Sequence, residues 1–520
     1  MEDHRITEDS PCAIACLPKH THQLDTELPL SPYERNVKRF KAVVGDAYKC
    51  SSEPGLINTL PTELLIHIFH LVLVQPCNLR LIASSCMDEH YIRYPDYLAH
   101  VCSLWRKISI STGSLWCHID LTSCESYLDK LTTRAEICAA RSGKLPIELH
   151  VAESSLCNQE SSLKCYTQLF QFVSNISNRV ETLDFVVTGY FHGFRSTVLR
   201  EVLTRNPTLM KIKLDSVHGR QDAFITSIPD DIGVASPNLK VDLPEADIES
   251  AFAPLTTLHL HGIFPKWSSK AYHGLIDLRL LSTRVWSNIK LMNLVTILEG
   301  SPGLQILHFG LKIRRPTPRA AAPSPVYLQD LQVVKILPVN ADQSNLRPSR
   351  LLRLLAPGPK PLRLCLGGKY KSYSCLAWEL DAFFRRSKVA RFYTRAVFPP
   401  MGALLRHAND LECVVLDGLK PYPSEELTPT WLQADKLGSP LHLRSLHITR
   451  SIISDINLRL LVDFCPNGIV LHDSHIYLDS IGESSKLSDK DISETFPTVR
   501  TTGHVLYPLN DPTAEWDIPD

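Results

Sequence analysis

The stretch Leu60-Pro61-Thr62-Glu63-Leu64-Leu65-Ile66-His67-Ile68-Phe69 decides how the N-terminal part of the chain is read. Apolar groups at 64, 65, 68, 69 and 72 recur at the spacing of one helical face, which predicts an amphipathic helix. Pro61 suits the first turn, where its missing N–H costs nothing. Asn58 or Thr59 can cap the helix, and Glu63 lies at the positive end of its dipole. Pro76 ends it. After an irregular insert from Pro76 to Pro95, the run from Asp96 to Ile108 resumes a helical period, with Asp96 as cap and Leu98, Val101, Trp105 and Ile108 on one side. Ser111 to Trp116 gives a turn, and Cys117 to Leu121 alternates apolar and polar residues as a strand does. Stripes of this kind commonly fill a core, but a helical unit this small leaves apolar surface uncovered, which points to a partner.

These motifs, in this order, resemble the F-box in the form common among fungal, mushroom-type proteins. They are Leu60-Pro61-x-Glu63-Leu64-Leu65-x-x-Ile68-Phe69, then Val101-Cys102-x-x-Trp105-Arg106-x-Ile108, then Leu115-Trp116 followed by a strand. Ser103 departs from the pattern, standing where the family often has a basic residue. Arg141-Ser142-Gly143-Lys144-Leu145-Pro146-Ile147 is similar to the Arg-Ser-Gly-x-x-Pro-Leu segment that such proteins place before a repeat region. The resemblance implies docking to the small helical adaptor of SCF-type cullin–RING ubiquitin ligases, and through it to a cullin. Leu60, Pro61, Leu64, Leu65, Ile68, Phe69, Val101 and Trp105 would form or support that docking face. It also implies a non-catalytic receptor for an unknown target protein. A repeat scaffold that binds a partner outside any ligase is the alternative.

Downstream, an apolar-x-x-apolar-x-apolar pattern starts at Val180, Leu209, Leu255, Leu275, Leu304, Leu328, Leu411 and Leu443. A sequence this rich in aliphatic residues matches such a pattern often by chance. Context is the stronger signal: several copies follow a helix-like stretch and a short turn, as at Asn206-Pro207-Thr208-Leu209 and Ser301-Pro302-Gly303-Leu304. Helix, turn and strand form the unit of a leucine-rich repeat. The expected fold is therefore α/β, an N-terminal helical F-box followed by an irregular leucine-rich-repeat-like solenoid. Its expected divisions are a mobile leader at 1–51, the F-box at 52–121, a connecting segment at 122–144, the solenoid at 145–481 with an inserted loop at 312–326, and a polar, acidic cap and tail at 482–520. Residues 471–520 carry ten acidic against three basic residues.

Composition narrows the function classes. The 520 residues hold 55 basic and 55 acidic side chains, so no global field holds the chain on nucleic acid or an anionic membrane. No apolar stretch reaches the about 20 residues that cross a bilayer, and no signal peptide is expected at the acidic N-terminus. Fifteen cysteines without a Cys-x-x-Cys pair fit reduced thiols in cytoplasm or nucleus. No phosphate-cradling loop, nucleophile elbow or His-Glu-x-x-His motif is present, and neither catalytic residues nor a cofactor or metal is expected. Cys12, Cys16, His20 and His22 have ligand atoms but an unusual spacing, and His259-x-His261 and His472-x-x-His475 are expected to be satisfied histidines. Residues 312–406 hold 18 basic and 4 acidic residues. A solvated face is the common reason for such a run. The sharper reading is an acidic-ligand patch at Lys369, Lys371, Arg385, Arg386 and Lys388, with nucleic acid the weaker third.

Overall fold

In the computed structural model, fourteen strands form one sheet whose order follows the chain. They are β1 (His118–Thr122), β2 (Ile147–Ala152), β3 (Val180–Val187), β4 (Lys211–Ser216), β5 (Thr257–His261), β6 (Asp277–Leu281) and β7 (Ile306–Phe309). The sheet continues through β8 (Val333–Ile336), β9 (Leu362–Leu366), β10 (Val389–Arg395), β11 (Cys413–Asp417), β12 (Ser445–Thr449), β13 (Ile469–His472) and β14 (Val499–Thr502). Every pairing is parallel. The structure describes residues 56–73, 95–153, 163–188, 192–204, 206–216, 223–227, 239–283, 287–314, 323–337, 347–368, 373–395, 410–419, 443–465, 468–478, 486–502 and 513–518. The expected leader, with Cys12, Cys16, His20 and His22, lies outside them, as do Lys369 and Lys371.

The alternation of apolar residues explains the sheet. In register, Ile119, Leu149, Leu183, Ile212, Leu258, Leu278 and Leu307 form one continuous row, extended by Val334, Leu364, Phe392, Val414, Leu446, Ile469 and Val499. All are buried. Two residues on, a second row runs from Leu121 to Leu471 and is apolar except at Thr394. Full burial of each such side chain contributes about 1.5–3 kcal/mol, and a one-residue slip would turn a whole row outward, so register is strongly fixed. Helices cross between strands, among them Glu125–Arg141, Thr167–Ile176, His192–Leu203, Leu291–Glu299 and Asp455–Phe464. Several turns add a second short parallel strand, giving the pairs Asn288–Lys290 with Lys312–Arg314, Val326–Leu328 with Leu355–Pro357, and Ile452–Ser454 with His475–Tyr477. The segment expected as a loop at 312–326 thus begins and ends in strands.

Turns leaving the sheet need unusual backbone. Gly262, directly after β5, has φ +76, and a Cβ there would stand 2.1 Å from the Thr283 methyl. Only glycine fits such a place without displacing a buried neighbour. Arg450 after β12 and Asp473 after β13 also take positive φ.

The chain divides into two units, residues 1–68 and 69–520, a division that falls inside helix α1 (Thr62–Leu73). The described part of the first unit is a 3-10 turn, Leu56–Thr59, and the start of α1, where Leu65 N–H donates to the Pro61 carbonyl at 3.1 Å. In the second unit the run expected as one helix from Asp96 is two, α2 (Asp96–Ala99) and α3 (Ser103–Ser111). Cys102 breaks it: its extended backbone ends the helical path, and its Sγ accepts from Trp105 N–H at 3.4 Å. Asp96 is engaged elsewhere, by Arg134 at 2.6 Å. The segment expected to be a loose tail also differs. Ser488 caps a helix at Asp489–Thr495 with a full capping box, and β14 extends the sheet beyond 481.

Candidate functional site

In the first unit, Pro61 and Leu64 are exposed, Leu60 and Ile68 half-buried, and Leu65 buried. In the second, Phe69 and Trp105 are buried with ring centroids 4.7 Å apart, while Val101 stays exposed. Leu65, Phe69 and Trp105 are thus covered, whereas Leu64 and Val101 reach the surface. Leu71, Val72, Tyr97, Leu104 and Ile110 are further apolar side chains left at the surface, Leu71 at 62%. Sequence periodicity named Val72 but not Leu71, Tyr97, Leu104 or Ile110, because it reports which side of a helix is apolar and not which apolar groups stay uncovered.

The two short motifs that flank this region are bonded to one another. Trp116 Nε1 donates to the Ser109 carbonyl at 2.7 Å, and the Arg141 guanidinium lies 4.1 Å over the Trp116 ring. Ser142 accepts from Arg179 Nη2 at 2.7 Å, and Gly143 takes φ +61 just after the helix. Arg141, Ser142 and Gly143 thus each take part in the junction between the helical elements and the first strands.

The sheet face opposite the apolar rows carries the polar positions. At its first two strands, His118, Asp120, Glu148 and His150 form a two-by-two array, with His118 opposite Glu148 and Asp120 opposite His150. Donor atoms of His118, Asp120 and His150 lie within 4.8 Å of one another, the ligand types of a divalent transition metal. The array also closes on itself as a charge network, with His118 Nε2 3.0 Å from Asp120 and His150 Nε2 3.1 Å from Glu148. Contacts with His118 and His150 outweigh burial and hold the Glu148 carboxyl well below the usual range.

Further along, His259 Nε2 meets Asp277 at 2.9 Å and His261 Nδ1 meets Asp215 at 2.7 Å. His447 Nδ1 lies 3.1 Å from His472 Nε2, with the rings stacked. Burial, then the charge of His472, pushes His447 down to about 4. Asp417, at the end of β11, is fully buried and collects donors from its neighbours. Thr449 Oγ1 donates at 2.8 Å, Tyr393 OH at 2.7 Å and Arg450 Nε at 2.7 Å. Burial first, then the Asp417 carboxylate, pushes the Tyr393 phenol far up.

Of the candidate acidic-ligand patch, Arg385, Arg386 and Lys388 are described. Arg385 pairs with Asp381 at 2.8 Å one helical turn away, and Arg386 donates to the carbonyls of Leu352, Leu355 and Ala382. Lys388 is exposed. From the same basic stretch it is Lys335 and Arg363, central residues of alternating strands, that share the polar face. That signal, a cation flanked by inward apolar residues, is legible once the strand is recognised.

No protein-family model matches the chain, and no curated protein matches it. Among the described residues no disulfide occurs, and no helix is long and apolar enough to cross a membrane.

Proposed function

We propose that the chain is the substrate-recognition subunit of an SCF-type cullin–RING ubiquitin ligase. The supporting observation is the coincidence of motif and element: α1, α2, α3 and the turn at Gly113–Trp116 fall in order on the segments that resemble an F-box, with Leu64, Leu71, Val101 and Leu104 left exposed. Apolar side chains left exposed on short helices are what a helical adaptor covers. The downstream sheet is read as an irregular leucine-rich-repeat-like solenoid. Strand order following the chain, parallel pairing throughout and second strands in several turns support that reading.

The mechanism is positioning. A protein that holds ligase adaptor and target together makes the meeting of a target lysine and a charged conjugating enzyme intramolecular, at effective concentrations on the order of millimolar. No residue of this chain is required to act on a bond. The experiment is co-elution of the full chain with the purified adaptor on size exclusion. Joint elution supports the receptor reading; separate elution of two folded proteins leaves a repeat scaffold acting outside a ligase.

A further inference from the structure

The residues Trp516-Asp517-Ile518 lie across the polar face of four consecutive strands, β6 to β9. Asp517 Oδ1 is 2.6 Å from Lys335 Nζ and 3.1 Å from His308 Nε2, and its Oδ2 is 3.5 Å from Arg279 Nη1. Arg363 donates to the backbone carbonyls of Trp516 and Ile518. Trp516 is 2% exposed, whereas Glu515 and Ile518 face solvent. The segment itself is one 3-10 turn, Ala514–Asp517, and takes no place in any sheet.

The charges show what the place is built for. Arg279, Lys335 and Arg363 bring three permanent cations, and the Lys335 side chain is only 13% exposed. On the protein side Asp277 bonds Arg279 and His259. Among the described residues Asp517 is the carboxylate that meets the largely enclosed Lys335 amine, so this place calls for an anion, since a partly buried charge without a counter-charge is costly. Burial and the neighbouring Arg279 and Lys335 push His308 down, although Asp517 draws it up. At neutral pH it therefore offers a neutral N–H beside the cations. Burial alone would raise the Asp517 carboxyl, but the hydrogen bond from His308 and the charge of Lys335 outweigh it and hold the group ionised.

We infer that this face is a binding site for an acidic peptide with an aromatic residue directly before the acid, and that the chain's own Trp516-Asp517-Ile518 occupies it as an internal stand-in. Each contact is one that a separate peptide can supply: an apolar ring, a carboxylate, and two backbone carbonyls for Arg363. The naming of that peptide as part of a target rests on the receptor reading above; the site itself does not. An internal segment competes at an effective concentration on the order of millimolar, so a free peptide binds the intact chain about 10- to 100-fold more weakly than a chain whose segment is disabled.

The probe is a fluorescein-labelled peptide of sequence Thr-Ala-Glu-Trp-Asp-Ile-Pro-Asp, corresponding to residues 513–520. Its anisotropy is titrated with the full-length chain and with the full-length Trp516→Ala/Asp517→Lys variant. The variant is expected to bind the peptide at least 10-fold more tightly than the unaltered chain. Binding is expected to be lost when Asn replaces the peptide's first Asp after Trp, or when Lys335→Glu is added to the variant. A folded variant that does not take up the peptide overturns the inference. So does a variant that loses its cooperative unfolding transition, because the segment is then part of the fold and not an occupant. Neither readout involves the ligase adaptor, so failure here and failure of adaptor binding are told apart.

Discussion

Replacing Asp417 with alanine removes the acceptor on which three consecutive strands converge, and the structure sets the size of the effect. The carboxylate is fully buried and takes hydrogen bonds from Thr449, Tyr393 and Arg450, with Arg395 at 3.5 Å. The two arginines are about two-fifths exposed and can turn to water, so their loss counts for little. The hydroxyls of Thr449 and Tyr393 have less freedom, and each stranded bond to a charged group costs about 1–3 kcal/mol. The loss is about 3–5 kcal/mol, the range expected when a buried ionic cluster loses one partner. Arg450→Met leaves Thr449, Tyr393 and Arg395 on the carboxylate, so its cost is about 1–2 kcal/mol. Because stacked strands unfold locally, the fitting assay is amide hydrogen exchange. Exchange in 413–417 and 445–449 is expected to speed up about 200- to 5,000-fold in Asp417→Ala and about 10-fold in Arg450→Met, with β1 to β3 unchanged. An Arg450→Met effect equal to that of Asp417→Ala, or a uniform change reaching β1, would refute the reasoning.

Gly262→Ala forces a positive φ on a residue with a Cβ and drives that Cβ to 2.1 Å from the Thr283 methyl. Urea denaturation is expected to show a loss of about 2–4 kcal/mol, and a change below about 0.5 kcal/mol would remove the claim that the turn is sterically closed. The His447 and His472 pair sets a pH dependence. Both are held below their ordinary pKa in the folded chain, His447 to about 4, so the unfolded chain binds more protons between that value and about 6.5. The stability they contribute is complete above about pH 6.5 and declines toward pH 4. The unfolding midpoint should fall over that window, and less steeply in His447→Gln. A midpoint that rises on acidification would contradict the sign.

Much of this architecture is legible in the sequence, and the exceptions have physical causes. The pattern starts at Val180, Leu209, Leu255, Leu275, Leu304, Leu411 and Leu443 each lie at or within two residues of a strand of the main sheet. Leu328 marks a second-row strand instead, because Val326–Leu328 has the same alternation on a different layer. The long gap between Leu328 and Leu411 contains β9 and β10, where alternation is intact but Pro361 stands at the first position of the pattern and Thr394 at the last. Charge counting over residues 312–406 pointed to a basic region but not to its use. Arg386 is consumed by nearby backbone carbonyls, whereas Lys335 meets the Asp517 carboxylate and Arg363 the carbonyls of Trp516 and Ile518, about 150 or more residues away in sequence. Contacts of that kind depend on the order in which strands stack and leave no local period. The acidic C-terminal residues were readable as charge, and their seat on the sheet only from the fold.

The most direct test of the central claim is calorimetric titration of the purified ligase adaptor into the full-length chain and into Leu64→Asp/Leu71→Asp. Both leucines lie at least half exposed on α1, so the double variant should keep its circular dichroism and unfolding midpoint. Covering each leucine in an interface contributes about 1.5–3 kcal/mol, so the account predicts tight binding by the unaltered chain and a loss of about 100-fold or more in the variant. Equal binding by both would contradict the docking face, and no binding by either would contradict the ligase receptor itself.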